Sequence, residues 1–443
     1  MVNIYTTELT PRMEYSFRLI FEILLKDEIQ FFQNVHEFQE SNGIKINYSK
    51  QSEIGGFHIK PQGLLSESHL QMQHPATVEW EGIIAFFPVE NSFLPFDIFA
   101  ASFYLVSRYE EYLPGKRDRH QRFRARESFA AMNSFLEKPI VNIWALKLAE
   151  KIEQNVPDYR FKRTKFKYIP TIDIDNAWAF KNKGFVRITL SMVKDILKGR
   201  FKVFRKRFAV VNRLEKDPYD NYDFLSDILK TFQFRPVFFF LLNKKGKYDR
   251  SLSHKNLYYR SLILQLAKQG KVGIHPSYVS NNSKKQLHTE IERLKSITGK
   301  KVKRSRQHFL KITMPATFRN LIEQGINADY SMGFASRPGF RAGIASSYYF
   351  FDVIKNKATE LKIYPFQVMD VTLKDYRGFG VNDASKKIEQ LMQETAKVGG
   401  TFISLWHNES LSDEGHWKGW RNVYSEMTRL AAELRNEHTT AAQ

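Results

Sequence analysis

Asp173 and Asp175 stand at alternate positions where an apolar run ends, in Tyr168-Ile169-Pro170-Thr171-Ile172-Asp173-Ile174-Asp175-Asn176. Side chains two apart on a strand point to the same face, so the run predicts a short buried strand aiming both acids into one pocket. Two carboxylates that close repel each other unless a metal or a shared proton offsets the repulsion. A turn rich in Asp and Asn is the plainer account of this spacing, so chemistry here requires further groups from elsewhere in the chain.

Those groups are present. His275 closes an apolar run in Gly273-Ile274-His275-Pro276-Ser277-Tyr278, and Arg306 and His308 follow another in Arg304-Ser305-Arg306-Gln307-His308. Asp329 lies in a further run, Asp370 ends the next, and His407 ends the last in Ser404-Leu405-Trp406-His407-Asn408. The chain has twelve histidines, and three of them occupy these positions beside four carboxylates. One histidine on an apolar stretch is usually a satisfied core group. A whole set at the same end of one sheet is harder to explain that way.

The elements that must position this set follow a regular rhythm from residue 161. Strand-like runs at 167–173, 236–242, 272–275, 302–306, 328–331, 363–370 and 401–406 alternate with helical patterns at 223–232, 257–268, 284–297, 316–324, 384–397 and 417–434. Such alternation predicts an α/β fold with a parallel sheet and crossover helices. Seven strands suit an incomplete (β/α) barrel spanning 161–443, in which chemistry sits where strands give way to loops. Residues 1–160 predict a smaller α/β N-terminal domain without a catalytic cluster. In it, 14–32 reads as helix, 77–87 includes a strand around Ile83-Ile84-Ala85-Phe86-Phe87, 95–112 reads as a long buried helix, and 139–154 as another. Asp118-Arg119-His120 and Arg108-Tyr109-Glu110-Glu111 are read as structural salt bridging.

One insertion breaks the rhythm. Residues 181–216 carry twelve Lys or Arg against two acids, with apolar residues spaced for one or two amphipathic helices with a basic face. Either this is a solvated surface hairpin or it meets an anionic lipid or phosphate.

Bulk composition narrows the classes. The 443 residues are 42% hydrophobic and 14% aromatic, enough for a substantial core, and 68 basic against 47 acidic residues give a net charge of +21. That balance points to an anionic partner. There is no cysteine, so disulfides and thiolate ligands are excluded and any metal must sit on His and carboxylate. Neither a signal peptide nor a spanning apolar run is read, so a cytoplasmic location is the expectation.

The set and its order resemble the polysaccharide deacetylase family, the carbohydrate esterases with the NodB homology domain, over about residues 165–435. The chain is also similar to the subgroup with an extra N-terminal domain. The resemblance implies that Thr171-Ile172-Asp173-Ile174-Asp175 is the opening motif, with Asp173 the catalytic base and Asp175 a metal ligand, displaced one place from the commoner adjacent pair. It implies that His275 is a metal histidine, that Arg306 (or its rival Arg341 in Gly339-Phe340-Arg341-Ala342-Gly343) holds Asp173, and that His407 in Leu405-Trp406-His407 is the general acid. One departure is that Val279 stands where the family usually has a second metal histidine. Three outcomes follow: His308 supplies the third ligand, Ser277 or water completes a weaker site, or no metal is retained.

The implied activity is removal of an N-acetyl group from an amino sugar in a glycan or glycan precursor. Such amide hydrolysis needs an attacking water, a stabilised oxyanion and an acid for the leaving amine. Zn²⁺ or a similar divalent ion meets the first two needs, with Asp173 as base and His407 as acid. His407 then needs an acidic partner to stay protonated, Asp329 or Asp370. A cytoplasmic enzyme of this kind would meet its sugar on a nucleotide or a lipid diphosphate, with 181–216 in peripheral contact with the anionic inner membrane face. Two other readings compete. A nucleotide-sugar glycosyltransferase would use the D-x-D but leave His275, Arg306 and His407 unexplained. A degenerate, non-catalytic basic binding module would account for the charge. Nucleic acid is not expected, because no run interleaves aromatics with basic residues on one strand face.

Overall fold

Val2-Asn3-Ile4-Tyr5 forms a strand covered on both faces, with the polar Asn3 side chain buried and donating to Ser41 and the Asn42 carbonyl. In the computed structural model, which describes residues 1–243, 246–249 and 251–440, this strand, β1 (Val2–Tyr5), lies inside a parallel sheet. Its partners are β2 (Ile29–Phe32), β3 (Ile44–Asn47) and β4 (Phe57–His58), in the order β2-β1-β3-β4. The expected 14–32 helix stops earlier. Helix Pro11–Phe17 continues as wider π-type turns over Arg18–Leu24, Lys26 turns the chain at φ 57°, and Ile29–Phe32 pairs with β1 instead. An antiparallel hairpin of β5 (Thr77–Trp80) and β6 (Ile83–Phe86) follows.

Helix Ile98–Val106 is apolar all round and buried all round. Asp97 caps it, accepting from the Phe99 and Ala100 N–H groups at 3.1 and 3.0 Å, a contact worth about 1 kcal/mol. It is shorter than the expected 95–112 because Arg108 takes up φ 57°. The charges beyond that break are buried and paired: Arg108 with Glu110 at 2.7 Å and Glu111 at 2.8 Å, and Arg341 with Glu111 at 2.6 Å. These are the structural salt bridges expected of that segment, and they reach across to the second half of the chain.

The second half is built on β7 (Lys167–Ile174), β8 (Val237–Phe240), β9 (Lys271–Ile274), β10 (Arg304–Ser305), β11 (Ala328–Asp329), β12 (Tyr348–Asp352), β13 (Lys357–Ile363), β14 (Val368–Met369) and β15 (Thr401–His407). They form one mixed sheet in the order β12-β13-β11-β10-β9-β8-β7-β15-β14, parallel throughout except for the antiparallel β12–β13 pair. Among the described residues it has nine strands where seven were expected. The difference has two sources. Tyr348–Asp352 and Lys357–Ile363 form a hairpin, and the run read as one strand at 363–370 is two. Pro365 lacks the N–H a ladder needs, and the chain leaves the sheet there.

That departure fixes the shape of the sheet. β13 and β14 are seven places apart in the strand order, about 33 Å if the sheet were flat. Only residues 364–367 join them, a link of at most about 19 Å. The sheet therefore curls until its edges approach each other. Its inner face carries a separate apolar cluster that includes Val237, Phe239, Ala328, Met369, Ile403 and Leu405. Gly273 faces the same interior, where a Cβ would come within 2.6 Å of the Phe239 ring and 2.8 Å of the Arg304 carbonyl oxygen. The outer face packs on the crossover helices.

Residues 181–216 form a helical hairpin, Phe185–Leu197 and Phe201–Val211, turned through Gly199 at φ 64°. Buried Asp195 ties the two helices, pairing with Arg207 at 2.9 Å and Arg200 at 3.4 Å. The basic face expected from the sequence is present, but the apolar face is uncovered as well: Phe185 is 84% exposed and Leu197 80%, with Leu190, Val193, Phe201 and Phe208 also exposed. No helix of the described residues is long and apolar enough to cross a membrane.

Candidate metal and acid–base site

Parallel register brings the strand ends level. Asp173 on β7 lies opposite His407 on β15 and Phe239 on β8, while Ser305 on β10 pairs with Ile274 on β9 and with Asp329 on β11. His275 and Arg306, each one residue beyond its strand, are thereby neighbours. The His275 Nδ1 lies 2.6 Å from the Arg306 carbonyl oxygen, so its N–H donates there and Nε2 is left with a lone pair.

That lone pair faces Asp175, whose Oδ1 is 3.2 Å away, and Asp173 Oδ2 is 3.7 Å away. Asp175 Oδ2 is 3.3 Å from Nε2 of His308, which arrives in the short turn His308–Leu310. The turn is strained, with Phe309 and Leu310 at φ 59° and 53°, a backbone conformation bulky residues seldom adopt. The opposite nitrogen of His308 is anchored by Asp249, Nδ1 to Oδ1 2.9 Å, and Asp249 also accepts the Tyr278 N–H at 2.8 Å.

Electrostatics match this arrangement. Burial alone would raise the Asp175 carboxyl, but His308 and His275 outweigh it and hold the group well below its usual range. Burial alone would lower His308, but Asp175 and Asp249 outweigh it and raise it to about 9. The carboxylates that draw a proton onto His308 would draw a cation equally.

Asp175, His275 and His308 each offer a ligand atom, all within 4.8 Å of one another. Asp175 Oδ1 and His275 Nε2 are buried without a hydrogen-bond partner, which is costly unless something positively charged lies between them. One carboxylate and two imidazoles, one of them backed by a second carboxylate, form a donor set that suits a divalent metal and leaves coordination positions open. Of the three alternatives for the third position, the geometry brings in His308. Ser277 turns away, its hydroxyl donating to Glu290 at 2.5 Å, and Val279 sits half-exposed in the turn Val279–Asn282.

Asp173 is buried at the back of the site, with Oδ1 3.5 Å from the Arg306 guanidinium. Arg306 is fixed by its Nε, which donates to the Tyr330 carbonyl at 3.0 Å, and by the Phe239 and Phe366 rings on which it lies. Burial lowers its pKa and the Asp173 carboxylate works in the opposite direction. Arg341 stands elsewhere, committed to Glu111.

His407 faces the ligand cluster from the other side. Asp370 accepts its Nδ1–H at 2.8 Å and its backbone N–H at 2.7 Å. Burial alone would lower His407, but Asp370 outweighs it and lifts the imidazole well above its ordinary value. Asp329, the other acid weighed for this place, instead accepts from Ser305 at 2.6 Å and from the Ser331 N–H at 2.8 Å.

A cavity of about 170 Å³ joins these groups, lined by Asp173, Asp175, His275, His308 and His407. Two lining or supporting acids were not singled out from the sequence. Asp249 stands in a polar loop, where an acid signals nothing. Glu409, whose carboxyl burial raises, lies two residues beyond His407, and that proximity was its one signal.

Residues 2–157 match the model of a family of unknown function (DUF7033). Comparison with curated proteins gave no match. Among solved structures, a Mycobacterium smegmatis protein assigned as a polysaccharide deacetylase is 14% identical, covering 62% of this chain and 92% of its own, with a TM-score of 0.39. A Parabacteroides distasonis protein assigned as a glycoside hydrolase/deacetylase is 10% identical, covering 61% and 67%, with a TM-score of 0.34. A polysaccharide deacetylase from Bacillus cereus is 13% identical, covering 60% and 86%, with a TM-score of 0.28.

Proposed function

We propose that this chain is a metal-dependent hydrolase that removes an N-acetyl group from an amino sugar in a glycan or glycan precursor. The observation that carries the reading is a single cavity with three metal-competent side chains on one wall, a buried acid held by an arginine behind them, and a carboxylate-backed histidine opposite. When bound by Asp175, His275 and His308, a divalent ion such as Zn²⁺ supplies Lewis acidity and lowers the pKa of water to about 7.

The chain's own groups account for the protons. Asp173 takes one from the attacking water, its carboxylate fixed by the Arg306 guanidinium. His407, kept cationic by Asp370, gives one to the nitrogen as the C–N bond breaks, so acetate and a free amine leave. A hexamer of N-acetylglucosamine incubated with the zinc-loaded protein should release acetate, and Asp173→Asn should cut the rate by about 10²–10⁴-fold with zinc still bound. Acetate release unchanged in that variant would remove Asp173 from its role.

The reading extends to location. The 185–211 hairpin presents an exposed apolar face flanked by Arg187, Lys194, Lys198, Lys202 and Arg205, none of which has a carboxylate partner among the described residues. Apolar side chains bordered by cations suit the surface of an anionic bilayer, where each cation contributes about 1 kcal/mol. Binding to vesicles rich in phosphatidylserine should weaken with salt and with Phe185→Asp/Leu197→Asp. A wild-type chain that ignores such vesicles at low salt makes this a solvated hairpin.

A further inference from the structure

Next to the site cavity is a larger one, about 600 Å³, between the N-terminal unit and the curled sheet. Arg122, Leu310, Ala335 and Tyr376 line both, so the two adjoin. Seven arginines line the larger cavity against one acid, Asp118. Some of that charge is internally committed: Arg122 to Asp118 at 2.7 Å, and Arg341 to Glu111. Arg337 and Arg377 are exposed and have no carboxylate partner among the described residues, and Arg124 uses only its Nε, on the Arg117 carbonyl. The same Arg337 and Arg377 line a third cavity of about 310 Å³.

We propose that this cleft binds the anionic part of a glycan chain whose amino sugar occupies the metal site, an inference that rests on the hydrolase reading. Two observations carry it. Uncommitted guanidinium groups concentrated in a concave wall are matched by carboxylate or phosphate oxygens, which they bind through paired N–H donors. The adjoining cavities also extend well past the 170 Å³ at the metal ligands, leaving room for more than the reacting sugar. Arg124 comes from the N-terminal unit and Arg337 and Arg377 from the sheet unit, so each half supplies charge to one ligand. The N-terminal unit thereby becomes part of substrate recognition.

Binding is tested on the metal-free full chain by calorimetry with two hexasaccharides of equal length, neutral chitohexaose and the carboxylate-bearing hyaluronan fragment. The wild-type chain should prefer the charged one by roughly tenfold at low salt, with the preference shrinking as ionic strength rises. In Arg337→Gln/Arg377→Gln, two exposed positions whose loss leaves the core intact, the preference should fall to about twofold or less. Inorganic pyrophosphate that displaces the charged fragment assigns the cleft to phosphate, and failure to displace it assigns the cleft to carboxylate; both support an oxyanion site. Equal binding of the two sugars by the wild type, a preference that survives in the double variant, or tighter binding of a single-stranded oligonucleotide each overturns the proposal. Binding is read without turnover, so its failure leaves the hydrolase reading standing, and absent acetate release leaves this result standing.

Discussion

Two histidines on opposite walls of the cavity have the same local chemistry and different surroundings. His308 and His407 each donate Nδ1–H to a buried carboxylate, Asp249 at 2.9 Å and Asp370 at 2.8 Å, and each is raised above its ordinary pKa. The difference lies at the other nitrogen. His308 Nε2 meets Asp175 at 3.3 Å, within a cluster of ligand atoms, whereas His407 Nε2 opens on the cavity. The same carboxylate–imidazole pair can therefore prepare a ligand or an acid. What faces the free nitrogen selects between the two.

The comparison breaks most completely if the ligand wall is removed. His275→Ala or Asp175→Ala should abolish stoichiometric zinc binding, measured by elemental analysis of the purified protein, while His407→Ala retains it in full. Full occupancy in either ligand variant would place the ion elsewhere. On the other wall, His407→Ala should lower kcat by about 10²–10⁴-fold with KM little changed. A loss confined to KM would make His407 a binding group.

A finer cut separates the two supporting carboxylates. Asp249→Asn should weaken zinc by about 10–100-fold, as loss of a ligand's hydrogen-bond partner typically does, and Asp370→Asn should leave zinc affinity unchanged while reducing turnover. Equal effects of both on zinc would erase the distinction between the walls.

The ligand wall is also separable by pH. His308 in the metal-free chain is raised to about 9, so its proton stabilises the fold fully below about 6.5, and that contribution is lost as pH rises through 9. Metal must displace the same proton. Zinc affinity, read by chelator competition, should rise about tenfold per pH unit up to about 9 and then level. A flat profile between pH 7 and 9 would mean that His308 is not a ligand.

Asp173, Asp175, His275, Arg306 and His407 were legible because each sits at or one step beyond the end of an apolar run, and parallel strands bring such ends level. His308 was legible only as one of three alternatives, since its approach depends on a strained turn, Phe309 at φ 59°, that no spacing rule announces. Asp249 was invisible. Its value comes wholly from the fold bringing a polar loop beneath His308. The break between β13 and β14 was missed because Tyr364-Pro365-Phe366 reads as a continuation of the apolar run on either side, and only the sheet order reveals that the chain crosses to the other side of the sheet there. The hairpin at 181–216 was legible in its helices and charge but not in its bare apolar face, since spacing predicts an apolar stripe and not whether anything covers it.

Glu111 lies within the stretch that matches a family model, residues 2–157, and Arg341 lies far outside it, yet the two share a buried ion pair at 2.6 Å that also holds Arg108. Severing the chain near residue 160 would leave Glu111 with Arg108 on one piece and the buried Arg341 guanidinium without its carboxylate on the other. Breaking a buried pair costs about 3–5 kcal/mol, a large part of the roughly 5–15 kcal/mol by which a domain is stable at all. A unit of descent need not be a unit of melting. We expect calorimetry of the whole chain to give one cooperative transition, and two separate transitions would show that the halves fold independently.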